Sequence, residues 1–172
     1  MTLSFFVNMN DKVKEILSYV IIIVIVLLIK HFIVTPIKVN GDSMNNTLKD
    51  KDIMILDKIS YRFQDIKRFD IVVIKKDKEY LIKRVIGLPG ETVEYKNNKL
   101  YINNKNVAEK FNHEETPDFI LEEKIPEGYY FVVGDNRPVS NDSRYIGLIK
   151  EEYILGKTSF VIFPFNRFGN KK

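Results

Sequence analysis

The sequence predicts a mainly β domain with a small inserted β and loop region, carried behind one N-terminal transmembrane helix. Two features lead there. A single long apolar segment lies near the N-terminus, and after Pro36 a succession of short apolar runs is separated by turn residues. Composition agrees: the 172 residues are 45% hydrophobic and 12% aromatic, enough to bury a core and unlike a disordered chain. The length leaves room for one domain with a short appendage.

The apolar segment reads EILSYVIIIVIVLLIKHFIVTP. Residues 16–29 carry no charge; Lys30 and His31 interrupt before FIV resumes. Those fourteen residues fall short of the ~20 that a helix needs to cross a bilayer. Extending to Val34, with Lys30 reaching toward the headgroups, supplies the length. The segment is far longer than a strand of ~5–6 residues. The expectation is therefore an N-terminal cytoplasmic segment over 1–15, an anchor over 16–34 and an extracytoplasmic domain over 35–172. A cleaved leader would be followed by small residues. Here TPIKVNGDS follows, and Ala108 is the only alanine in the sequence, so retention is expected. Lys12 and Lys14 on one flank and Lys38, Lys49 and Lys51 on the other leave orientation undecided by charge.

Charge limits the partners. Twenty-seven basic and 23 acidic residues give a net charge of +4, which suits anionic lipid headgroups. No compact basic motif or zinc spacing points to nucleic acid, and none is expected as a partner. With no cysteine there is neither a disulfide nor a thiolate metal site, and no metal or other cofactor is expected.

Beyond Pro36 the strand candidates are DIMIL (52–56), FDIVVIK (69–75), EYLIKRVIGLPG (79–90), ETVEYKNNKLYINNKNV (91–107), GYYFVVGD (128–135) and YILGKTSFVIFPF (153–165). Asn97 and Asn98 stand where a hairpin turns, since asparagine tolerates positive φ. LPGE at 88–91 fits a type II turn with glycine third. The polar, acidic stretch EKFNHEETPDFILEEKIPEG (109–128) reads as an insertion or surface loop.

Chemistry concentrates in three places. Ser43 lies in GDSMNNTL, just after the apolar segment, and a serine hydroxyl needs a base before it can attack. The two histidines offer little: His31 is inside the apolar segment and His113 in the acidic loop. Lysine is the other known partner for serine. Lys83 stands out because it interrupts an otherwise apolar strand pattern. An ordinary lysine is neutral in about one molecule in a thousand near pH 7.4, and burial can raise that fraction by ~3 orders of magnitude. In a strand Arg84 would face opposite to Lys83, so one of the two should point inward, while a strand-edge lysine in water is the plain alternative. The third cluster, VVGDNRPVSNDSRYIG (132–147), packs hydroxyl, carboxylate and guanidinium groups behind an apolar strand. It suits either a polar loop with Asx turns or a shell bracing a site.

In this order, GDSMNNTL (41–48), RFDIVVI (68–74), KRVIGLPGE (83–91) and GDNRPVSNDSR (134–144) resemble the boxes of the type I signal peptidase family, membrane-bound serine proteases with a Ser-Lys dyad. With the preceding anchor, the resemblance covers nearly everything from about residue 16. It implies a largely antiparallel β domain with an excursion over about 96–127, short as in the single-anchor branch. It implies that Ser43 is the nucleophile and Lys83 the general base. Ser140 would orient the lysine, and Asp135 with Arg84, and Asp142 with Arg144, would brace the site as ion pairs. Met44, Leu48, Leu81 and Ile82 become pocket-wall candidates, each equally able to be core. The substrates implied are exported preproteins cut after small residues at −3 and −1. The setting implied is the bacterial cytoplasmic membrane, with the lipid bilayer and the secretion machinery as neighbours.

Three positions depart from the family pattern: Asn46 stands for a proline, Phe69 for a glycine and Glu91 for an aspartate. Gly41 stands where some members place a serine as oxyanion donor, which would leave the Ser43 amide with more of that role. Two other readings survive the sequence alone. One is a self-cleaving Ser-Lys protein, although an anchor occupies the place of its DNA-binding domain. The other is a non-catalytic tethered β module, in which Ser43 and Lys83 would lie far apart.

Overall fold

Asp11–Phe32 forms helix α1, in a computed structural model that describes residues 10–32, 34–76 and 79–171. Asn10 opens it: its carbonyl accepts from Val13 and Lys14, its side chain accepts from the Lys12 amide, and Asp11 suits the positive end of the helix. The isoleucine and valine that would favour a strand are overridden here. Their side chains at 16 and 20–27 stand in the open, about half exposed, with Ile16 at 63%. Among the described residues no helix is long and apolar enough to cross a membrane. The expected anchor over 16–34 is therefore not shown as a membrane span. Residue 33 and the side chains of 28–34 lie outside the described residues.

β1 (Val34–Lys38) follows α1 almost directly and pairs antiparallel with β2 (Ile53–Asp57). β1 ends the main sheet, which is why it tolerates Pro36: an edge strand can spare an N–H. The sheet continues through β11 (Ile154–Phe163), β3 (Ile71–Lys76), β4 (Glu79–Gly87), β9 (Tyr129–Val133) and β10 (Ile149–Lys150), with β12 (Gly169–Asn170) beside β11. All its pairs are antiparallel. The mainly β antiparallel class expected from the sequence is thus observed.

A second, smaller sheet overlaps the expected excursion over about 96–127 but starts earlier, at Val93. It runs β7 (Lys105–Val107), β6 (Lys99–Ile102), β5 (Val93–Lys96), β8 (Phe119–Ile120). Asn97 and Asn98 turn the β5–β6 hairpin at φ 50° and 58°, and Asn103 and Asn104 turn the next at 48° and 62°. In LPGE, Gly90 has φ 80° and the Glu91 amide donates to Leu88 O at 3.2 Å.

β4 joins the two sheets. Val85 packs with Val72, Ile74 and Val132 on one face; Ile86 packs with Val93, Tyr95, Ile125 and Phe131 on the other. Each large side chain so buried contributes about 1.5–3 kcal/mol. Val39, Met44, Leu48, Met54, Ile71 and Val161 form a third cluster under the serine turn. The acidic stretch 109–128 is not merely a surface loop: Thr116 and Ile125 are 3% and 1% exposed, and the Glu109 side chain 4%.

Candidate active site

Ser43 sits on a polar turn pinned at both ends. Below it the Val39 amide donates to Asp52 O at 2.8 Å and Val39 O accepts from the Lys51 amide at 2.9 Å, the Gly41 amide donates to Asp50 Oδ1 at 3.0 Å, and the Leu48 amide closes a helical turn on Met44 O at 2.8 Å. Met44 and Leu48 drive into the third cluster as plugs, which leaves Ser43 half-buried at the top. A second clamp comes from Asn136. Its amide donates to Ser43 O at 3.0 Å and its side chain to Asp42 O at 3.0 Å.

Lys83 projects from β4, opposite Val72, and its Nζ lies 2.7 Å from Ser43 Oγ. It is 3% exposed. Burial pushes its pKa down to about 8, against the opposing pull of Asp142 and Asp135 and with a smaller assist from Arg144. The alternative of a lysine standing in water is thereby excluded, and the wide separation that a non-catalytic module requires is absent. Arg84, on the opposite face of the strand, is also buried, at 2%. The sequence had asked for one inward side chain of the pair; both are inward because β4 is covered on both faces.

Arg84 forms a two-pronged pair with Asp135, at 2.8 and 2.6 Å. It also donates to Phe69 O at 3.0 Å and to Thr47 Oγ1 at 3.3 Å, while Thr47 Oγ1 donates to Asp135 Oδ2 at 2.5 Å. The ion pair therefore grips the serine turn through Thr47. Asp142 pairs with Arg144 at 2.8 Å and accepts from Gly134 N at 3.0 Å, and Arg144 reaches Arg137 O at 2.7 Å. Ser140 Oγ accepts from Gly134 N at 3.1 Å, so its bond is to the backbone beside the site and not to the lysine. His113 stays within the acidic loop, its Nδ1 2.7 Å from Glu114 O and its Nε2 3.5 Å from Glu109 Oε2. Glu91 pairs with Arg68 at 2.5 Å and accepts from the Leu88 amide at 2.8 Å.

In front of the pair runs an open groove of about 830 Å³, lined among others by Thr35, Ile37, Met44, Leu81, Ile82 and Lys83. Three of the pocket-wall candidates thus reach it. Leu48 does not: it is fully buried in the core beneath. β9 pairs with β4 from Arg84 onward, so among the described strands one edge of residues 79–83 is free along the groove.

Sequence reading passed over Thr47 and Gly134 as site residues, and Asn136 entered it only as one member of the 132–147 cluster. A Cβ at position 134 would collide with Ser43 O and Ser140 Oγ, so only glycine lets the serine turn approach. The available signal was their place inside the matching boxes. Nothing local announces that Thr47 faces an ion pair 37 residues away at Arg84.

The family described as signal peptidase, peptidase S26, matches residues 12–163. The chain is 44% identical over 158 residues to signal peptidase I V of Bacillus subtilis, covering 83% of this chain and 94% of that one. It is 39% identical over 178 residues to signal peptidase IB of Staphylococcus aureus, covering 90% and 93%. Among solved structures, a signal peptidase I from Enterococcus faecalis is 41% identical over 55% of this chain and 97% of its own, with a TM-score of 0.49.

Proposed function

The chain belongs to the signal peptidase family, peptidase S26, and from that membership we propose that Ser43 is its nucleophile and Lys83 its general base. It is a peptide hydrolase that removes signal peptides from preproteins. The observation that carries the residue assignment is the 2.7 Å contact between Lys83 Nζ and Ser43 Oγ, made by an amine 3% exposed.

With a pKa near 8, about a fifth of Lys83 is neutral at pH 7.4, against about a thousandth for an ordinary lysine. The neutral amine takes the Ser43 proton as Oγ attacks the scissile carbonyl. The Ser43 N–H, fixed by the turn, meets the developing oxyanion. Lys83 then hands the proton to the leaving amine, and in the second half draws one from the water that releases the acyl-enzyme. The substrate lies extended along the free edge of 79–83, its alternate side chains against Leu81, Ile82 and Met44. Shallow apolar walls of this kind accept small residues at −3 and −1 and reject large ones. Arg84–Asp135, Asp142–Arg144, Ser140 and Asn136 hold the two reacting groups in place. A Ser43→Ala protein that still cleaved a preprotein in detergent would end this assignment.

Helix α1 is read as the membrane anchor, with the domain on the extracytoplasmic face of the cytoplasmic membrane. The exposed apolar side chains at 20–27 favour lipid as their cover, and the uncharged run continues in sequence to residue 29. One residue separates α1 from β1, and β1 supplies Thr35 and Ile37 to the groove, so the anchor would hold the site close to the lipid surface, where preproteins and the secretion machinery meet it. Release of the chain from membranes by alkaline carbonate, or protease sensitivity of the domain from the cytoplasmic side, would overturn this topology.

A further inference from the structure

Arg84 stands where the lysine strand, the serine turn and the Asp135 segment converge. Its N–H groups are committed: Nε and Nη2 to Asp135, Nη2 also to Thr47, Nη1 to Phe69 O. What remains is the flat face of the guanidinium, and Phe111 covers it. The Arg84 guanidinium carbon lies 3.9 Å from the Phe111 ring centre. Phe69 meets that ring edge-on at 5.3 Å, and the His113 ring flanks it at 5.5 Å.

The loop that carries Phe111 is fastened on both sides. The Glu114 amide donates to Asp135 O at 2.9 Å, and Asn46, on the serine turn, donates from its side chain to Glu114 Oε1 at 2.8 Å. Upstream, Glu109 pairs with buried Arg137 at 2.7 Å, and Arg137 donates to Thr116 Oγ1 at 2.5 Å. A ring held there keeps water from the guanidinium face and attracts the cation through its quadrupole, so the ion pair beneath works in a dry setting. Without the ring, water reaches Arg84, the Asp135 grip slackens, and Thr47 and the neighbouring Lys83 gain freedom to drift.

We infer that Phe111 is a positioning residue: its ring, acting through Arg84, keeps the lysine amine and the serine hydroxyl in reacting geometry, so that the loop at 109–116 belongs to the working site. The inference rests on the Ser43–Lys83 assignment made above.

The test uses the full chain in detergent micelles with a preprotein substrate, comparing Phe111→Leu, Phe111→Trp and Ser43→Ala, with melting temperatures measured alongside. The leucine variant should lose about tenfold in kcat with KM held within about twofold, and tryptophan, which restores an aromatic face, should recover most of the loss. If leucine fails to fold, Phe111→Met takes its place with the same expectation. Wild-type kcat in the leucine or methionine variant, or equal loss with tryptophan, overturns the inference while an inactive Ser43→Ala leaves the site assignment standing. An active Ser43→Ala overturns both.

Discussion

Arg84 and Asp135 meet through two hydrogen bonds, 2.8 and 2.6 Å, with both side chains out of solvent and the hydroxyl of Thr47 on the same carboxylate. Removing one partner leaves a buried charge unpaired, which costs about 3–5 kcal/mol. Arg84→Met should therefore shift the urea midpoint strongly. The double variant Arg84→Met/Asp135→Leu should regain most of that stability, because two apolar groups replace two charges. It should not regain turnover, because Thr47 has lost the carboxylate that holds the serine turn. Urea melts paired with preprotein cleavage separate the two effects; full activity in the double variant would remove the pair from the positioning of Ser43.

Lys83 links both activity and stability to pH, and both rise as its amine loses the proton. Its folded pKa, near 8, lies below the ordinary lysine value, so the unfolded chain binds more protons between about pH 8 and 10.5. The penalty for burying the amine is fully present below pH 8 and fades as pH rises through that window. Its size is about 3 kcal/mol. Lys83→Met should thus be inactive yet more stable at pH 7 by roughly 2–3 kcal/mol, with the gap closing toward pH 10.5. For the active protein, kcat/KM should rise with pH along a limb centred near 8. A flat rate profile from pH 6 to 9 would contradict a lysine base.

The alternating and short apolar runs made the strands legible, and the asparagine and glycine turns fell where φ is positive. Periodicity reports what a residue does for its own element. That is why Lys83, a charge inside an apolar strand, could be singled out, whereas Leu48 could not be sorted between groove and core. The acidic stretch 109–128 misled for the same reason. Its charges looked solvated because their partners, Arg137 for Glu109 and Asn46 for Glu114, come from distant segments. β1 was hidden because residue 34 was counted into the apolar segment.

Phe69 occupies φ 72°, a region where a side chain is disfavoured by about 1–2 kcal/mol. That backbone aims its carbonyl at Arg84. The glycine that resembling sequences carry there would reach the same conformation freely, and here the ring's contact with Phe111 offsets the strain. Phe69→Gly and Phe69→Ala both remove the ring, but only alanine keeps the strain. Glycine should be the more stable variant by about 1 kcal/mol. Equal melting temperatures would show that the left-handed turn relaxes once the ring is gone.

Asn46 stands where the resembling box has proline. Its backbone here is one that proline cannot adopt. Asn46 has φ 94°, far from the −65° to which proline is locked, and its amide donates to Asn45 Oδ1 at 3.0 Å. Asparagine tolerates this region better than most residues, and its side chain is spent on Glu114 at 2.8 Å. Restoring the family residue should therefore harm this chain: Asn46→Pro should cost about 3 kcal/mol or move the turn, lowering kcat with it. Asn46→Gly keeps the backbone and gives up only an exposed hydrogen bond, about 0.5–1.5 kcal/mol. Melting temperature and kcat measured on both variants decide the point. A proline variant as stable and active as the parent would mean that the serine turn accepts the family geometry, and that φ 94° is one of two shapes it can take.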